Sequence, residues 1–126
     1  MQQLIDLFSQ PPASFTWSAS DDGQRTMGTS EGFVLDIWPD RVEAAALFPP
    51  DRPDLVERNA TLLQLLLMVM RPDWNSAPSW LAQAMRMAAR YRPTPERPFY
   101  EDSNITRRVR FVNDPTQSRA TIRIDR

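Results

Sequence analysis

The sequence predicts an α+β fold: an antiparallel sheet of 5-6 strands with a two-helix hairpin packed on one face and a short N-terminal helix. Three observations lead there. Residues 54–70, DLVERNATLLQLLLMVM, carry apolar side chains three and four apart; residues 77–91 repeat a narrower helical stripe after a short break; and short alternating segments, separated by turn formers, stand before and after this helical block. Strands grouped on either side of a helix pair suit a sheet with its helices segregated on one face. The chain has 126 residues and 41% apolar composition gathered into periodic runs, which gives a single domain, 1–126, with one modest core.

Residues 1–9, MQQLIDLFS, put Leu4, Ile5 and Phe8 on one side of a short helix that Pro11 and Pro12 end. Alone it is marginal in water, so its apolar side must dock on the sheet or on a second subunit. Residues 14–19 alternate with Phe15 and Trp17 on one face, Asp21-Asp22-Gly23 turns the chain, and residues 24–30 return as a polar, peripheral strand. After a reversal at Glu31-Gly32, residues 32–38 send Phe33, Leu35 and Ile37 to one face and Val34, Asp36 and Trp38 to the other. Pro39-Asp40-Arg41 turns again. Residues 42–48 then read as a strand with Val42, Ala44, Ala46 and Phe48 inward, or, from their Glu and Ala content, as a turn and a half of helix.

As a helix, residues 54–70 are about 25 Å long, too short and too charged in the first two turns for a bilayer. Leu65 and Met68 widen the apolar stripe until only Glu57, Arg58, Thr61 and Gln64 remain polar, so this helix needs cover on more than one flank. Either Asp51 caps it or Pro53 is its first residue. Arg71-Pro72 stops it, Asp73-Trp74-Asn75 bends the chain, and Ser76 is placed to cap a second helix. Residues 92–104, rich in proline and charge, read as an ordered loop or linker and not as a strand. Residues 105–112 and 119–125 then make a C-terminal hairpin, with Ile105, Val109, Phe111, Ala120, Ile122 and Ile124 facing in.

The missing residue types exclude most chemistry. Without cysteine or histidine there are no disulfides, no Cys/His zinc site, no thiol nucleophile and no Ser-His-Asp triad. All 15 basic residues are arginine, which also excludes a Walker-type phosphate loop and a Schiff base. Residues 1–85 hold 5 arginines against 11 acids, net -6, and residues 86–126 hold 10 against 5, net +5. That asymmetry is the form a self-complementary or acidic-partner interface takes. The opening MQQLIDLF lacks the basic-then-apolar pattern of a targeting segment, which makes the cytoplasm the expected location.

Four groups of residues are candidates for function. Arg107, Arg108, Arg110, Arg119 and Arg123 of the C-terminal hairpin would form a phosphate or acidic-partner patch if positions 108 and 110 stand opposite 121 and 123. Trp38, facing away from its strand's apolar side, joins Phe8 and Trp17 as candidate protein-interface residues. Asn59 lies in line with Val56, Leu63 and Leu66 and, as a buried amide, must bond to a neighbouring turn or line a groove. Trp74 and Trp80 are candidates for a groove between the helix hairpin and the sheet that would take an apolar peptide or ligand. Paired acids such as Asp21/Asp22 and Glu101/Asp102 fall in turns without cation-loop spacing, so no catalytic or metal-binding residue is named and no cofactor is implied.

The expected function is a non-catalytic small adaptor or chaperone-like protein acting through protein-protein contacts as a homodimer or with another protein, the likeness to such proteins being one of fold layout alone. The alternative is a nucleic-acid-binding protein using the arginine patch, which a near-neutral total charge and the lack of aromatic interleaving disfavour. A carboxylate-based or metal-dependent hydrolase comes third.

Overall fold

In the computed structural model, which describes residues 2–11 and 13–126, the elements are α1 (Gln2–Ser9), β1 (Thr16–Ala19), β2 (Thr26–Ser30), β3 (Phe33–Ile37), β4 (Arg41–Leu47), α2 (Pro53–Met70), α3 (Ala77–Arg90), β5 (Tyr100–Asn104), β6 (Val109–Asp114) and β7 (Arg119–Asp125). Met1 and Pro12, assigned above to the first helix and to the proline pair that ends it, lie outside the described residues. The strands form one antiparallel sheet in the order β1-β2-β3-β4-β7-β6-β5. The first four make a meander, and the C-terminal hairpin joins it by pairing β7 with β4.

All three helices cover one face. The inward side chains of β3, β4, β6 and β7 are buried beneath them, and Leu62, Leu63, Leu66 and Leu67 of α2 close the core from above. α2 lies over β4, where Ala44 and Ala46 let the helix approach closely, and α3 lies towards β5. α1 covers the other end, its Phe8 ring 5.2 Å from Phe15 and 6.4 Å from Phe33. Each fully buried leucine of α2 contributes on the order of 1.5–3 kcal/mol, which explains how an apolar rod organises so small a domain.

Residues 41–47 are strand because they sit between two partners and alternate buried and half-buried side chains, a tertiary context that overrides the helix preference of Glu and Ala. Pro53 is the first residue of α2, and neither Arg52 nor Ser76 makes a side-chain cap. Ser76 instead accepts the Trp80 N–H through its backbone carbonyl at 2.9 Å.

Seven strands replace the expected five or six, because the end of the proline-rich segment is not loop. Tyr100–Asn104 pairs along β6 as an edge strand, held by the Tyr100 ring against Tyr91 at 5.8 Å and Phe111 at 6.3 Å. In consequence β6 starts at Val109, and Ile105, expected to face inward, is 89% exposed in the turn. Arg108 closes that turn with φ 56°, a conformation the alternation rule does not anticipate.

Two glycines answer to close approach. Gly28 is the cross-strand partner of Trp17, and a β-carbon there would meet the indole ring at 2.6 Å. Gly32 has φ 65° and lies beneath Leu55 and Asn59 of α2. Arg71 ties the far end of the molecule together: its Nε donates to the Arg107 carbonyl at 2.8 Å, its Nη1 to the Met70 carbonyl at 2.9 Å, and its Nη2 to the Asp125 carbonyl. Burial, and after it the nearby Arg108 charge, lowers the Arg71 pKa from its ordinary value.

Candidate functional site

The five hairpin arginines do not come together. Arg110 faces Arg123 across β6 and β7, while 112 faces 121, so the register brings one arginine pair onto the outer sheet face and leaves Arg108 in the turn. Each member of the pair has a carboxylate: Arg110 Nη2 lies 2.9 Å from Glu101 Oε2, and Arg123 Nε lies 2.9 Å from Asp125 Oδ1, with Glu43 at 3.7 Å. The hydrogen bond that Arg123 donates to Asp125 is the largest cause of its raised pKa. Arg107 lies in the turn before β6, beside the helix bend, bonded to Asp73 at 3.0 Å with its guanidinium carbon 5.9 Å from the Trp74 ring. Arg108 donates to the Arg126 carbonyl at 3.2 Å, and Arg119 pairs across the hairpin with Asp114. A phosphate arriving at Arg110 and Arg123 would have to compete with carboxylates already in place.

Trp38 faces outward, as expected, but its ring is already covered. The Arg41 guanidinium carbon sits 3.9 Å from the ring centroid and that of Arg25 5.2 Å away, Arg25 being held by Asp36 at 2.6 Å. Trp17 and Phe8 lie on the helical side: Phe8 is fully buried in the core, and Trp17 donates its indole N–H to Ser9 Oγ at 2.8 Å while covering Gly28. Trp74 and Trp80 pack on each other at 5.3 Å beside the helix bend.

Asn59 is 0% exposed and fully engaged. Its Nδ2 donates to the Leu47 carbonyl at 2.8 Å and the Gly32 carbonyl at 3.1 Å, and its Oδ1 accepts from Arg58 Nη2 at 3.0 Å. Arg58 continues the network to Ser30 Oγ at 3.1 Å and to the Glu31 carbonyl, and Ser30 donates to the Ala13 carbonyl at 2.8 Å. The buried amide therefore bonds to a turn, locking α2 to the β2–β3 reversal and the end of β4.

Arg58 of this network also lines a concavity. A groove of about 500 Å³ runs between the end of α1 and the N-terminal half of α2. Phe8, Ala13 and Leu62 make its floor, Leu7, Pro11 and Leu65 its apolar walls, and Gln10, Asp54, Glu57, Arg58 and Thr61 its polar rim. Arg52 bonds to Asp54 at 3.1 Å and holds that carboxyl below its ordinary pKa. The groove expected between the helix hairpin and the sheet also exists, with Phe48, Val56, Met85 and Phe111 among its lining residues, but it holds only about 210 Å³, and neither Trp74 nor Trp80 lines it.

Sequence reading missed Leu7, Pro11 and Thr61 as site residues. A signal was present in Leu65, which widens the α2 stripe beyond what the sheet can cover and so calls for a second apolar neighbour; that neighbour is α1. Among the described residues no three acidic side chains gather as a cation-binding group, and no helix is long and apolar enough to cross a membrane. Comparison with protein families, with curated proteins and with solved structures yields no match, so the reading of this chain rests on its own residues.

Proposed function

We propose that this chain is a small adaptor or chaperone-like protein, and that it works by holding apolar side chains of a protein partner in the groove between α1 and α2. The observation that carries this reading is the groove itself: about 500 Å³, apolar on floor and walls, and ringed by Asp54, Glu57, Arg58 and Thr61. Its size and lining match those of sites that accept apolar anchors from a bound helix or extended segment. Its rim carries Glu57 and Arg58 beside an Asp54 already paired with Arg52, so its charges are close to balanced and selection rests on the apolar side chains. A cysteine-free chain is compatible with a cytoplasmic setting, which does not call for disulfides.

Selection from a randomised peptide library tests this. The expected result is enrichment of peptides with two or more large apolar residues, and loss of their binding to Leu65→Glu, which changes a half-buried groove wall without entering the core. A Val112→Glu control on the outer sheet face should bind as the parent does. Equal binding to the parent and to Leu65→Glu, or no enrichment at all, would reject the groove as the site.

A further inference from the structure

The cleft between the helix hairpin and the sheet differs from the groove in size, in lining and in what it leaves unbonded. It opens where α2 begins and α3 finishes, above the end of β6 and the start of β7, and the two cavities share no lining residue. Its space of about 210 Å³ follows from the residue types around it. Phe48, Val56, Met85 and Phe111 give it apolar walls, while Ala88, Ala89 and Ala120 are too short to fill the gap between α3 and the sheet. Ala88 and Ala120 are buried, whereas Ala89 is exposed at the mouth.

Among the described residues, Asn113 is the one polar side chain in this lining. The register explains its direction: Asn113 stands between Tyr100 and Ala120 in the inward row of the sheet, two residues after the buried Phe111, and so points to the helical side. It is half-buried, yet its side chain makes no hydrogen bond to another described residue, in contrast to the fully engaged Asn59. No sealed side-chain polar atom among the described residues lacks a partner, so this unbonded amide is open to the cleft. An amide on the core-facing row of a sheet calls for a hydrogen-bonding partner, and here the chain supplies none.

We propose that the cleft is a binding site separate from the groove, and that it takes a small neutral aromatic carboxamide, its ring against Phe48, Met85 and Phe111 and its amide paired with Asn113. An apolar cavity of about 150 Å³ holds a benzene, so the space here admits a ring with one substituent of a few atoms and falls below the roughly 300 Å³ at which drug-sized sites begin. Two phenylalanines and a thioether favour an aromatic ring over an aliphatic chain. With no charged side chain among the described lining residues, a charged ligand would be desolvated without a partner, which selects a neutral one. Asn113 offers a carbonyl and an NH2 group side by side; a carboxamide presents the complementary pair, so that each amide donates once and accepts once.

Titration of the isotope-labelled full chain with benzamide, read by nuclear magnetic resonance at the Asn113 side-chain amide and the Met85 methyl, tests this. Both signals should shift along one saturable curve, with a Kd on the order of 1 mM or below for so small a ligand. Toluene, which lacks the amide, and benzoate, which is charged and cannot donate, should each bind at least about fivefold more weakly. Asn113→Leu keeps the side-chain volume and should weaken benzamide about tenfold while toluene binds as before, which shows the cleft intact. Ala89→Trp, at the exposed mouth, should weaken both benzamide and toluene. The absence of a shift at Asn113, benzamide binding no tighter than toluene or benzoate, or unaltered benzamide binding in either variant would each overturn the proposal. The ranking of the three ligands on the parent chain decides it even where a variant fails to fold, and none of these outcomes bears on the groove, which Leu65→Glu tests.

Discussion

The two faces of this molecule use the same residue types to opposite ends. On the outer sheet face, Arg110, Arg123, Glu43 and Asp36 occupy one cross-strand row, each with an oppositely charged neighbour within the chain, and Trp38 is covered by two guanidiniums. On the helical face, Glu57, Arg86 and Arg90 have no ion pair among the described residues, Leu7 stands exposed at the groove, and Met68 and Met87 stand exposed on α2 and α3. A charge already paired has little left to offer a ligand. The arginine-rich hairpin is the more conspicuous in the sequence, but the helical face has the groove.

Substitutions that separate the two faces sharpen this contrast, and the largest effect is expected in the layer between them. Leu66→Ala removes a fully buried side chain where α2 meets the sheet and should cost about 2–5 kcal/mol in denaturant unfolding, a loss that would detach the helical face from its support. A cost under about 1 kcal/mol would mean that α2 does not organise the core. Asn59→Ala comes next: it strips the Leu47 and Gly32 carbonyls of a donor and leaves Arg58 without its amide acceptor, with an expected loss of about 1–3 kcal/mol. Equilibrium unfolding should also show Asn59→Asp destabilised, because its carboxylate cannot donate to either carbonyl.

The smallest effect should fall on the outer sheet face. Arg110→Ala with Arg123→Ala removes two half-exposed guanidiniums from pairs that water and salt screen, and the expected change is within about 1 kcal/mol, with peptide binding unaltered. Loss of peptide binding in this variant would reverse the assignment of the two faces.

Much of the fold is legible in the chain because it follows from local periodicity. The α2 stripe, the α3 stripe and the alternation of β3, β4 and β7 each record which side meets the core, and Asn59 in an apolar line already implied a bonded amide. β5 was hidden because Tyr100–Asn104 is a polar edge strand, with Tyr100 as its one large apolar side chain and a single pairing partner. Missing it shifted the start of β6, and a turn at Ile105–Arg108 then removed Arg108 from the strand face it was expected to share with Arg110, and Arg107 from its place beside them.

By itself the sequence determined the class of the fold, the identity of its central helix and the chemistries a chain without cysteine, histidine or lysine cannot perform. Those depend on side-chain type and on spacing along one element. Only the tertiary structure decided which arginines are already neutralised, that Trp38 is covered by its neighbours, and that the apolar groove opens between α1 and α2 and not chiefly between helices and sheet. Each of these depends on distances between elements far apart in sequence, which periodicity within one element does not encode.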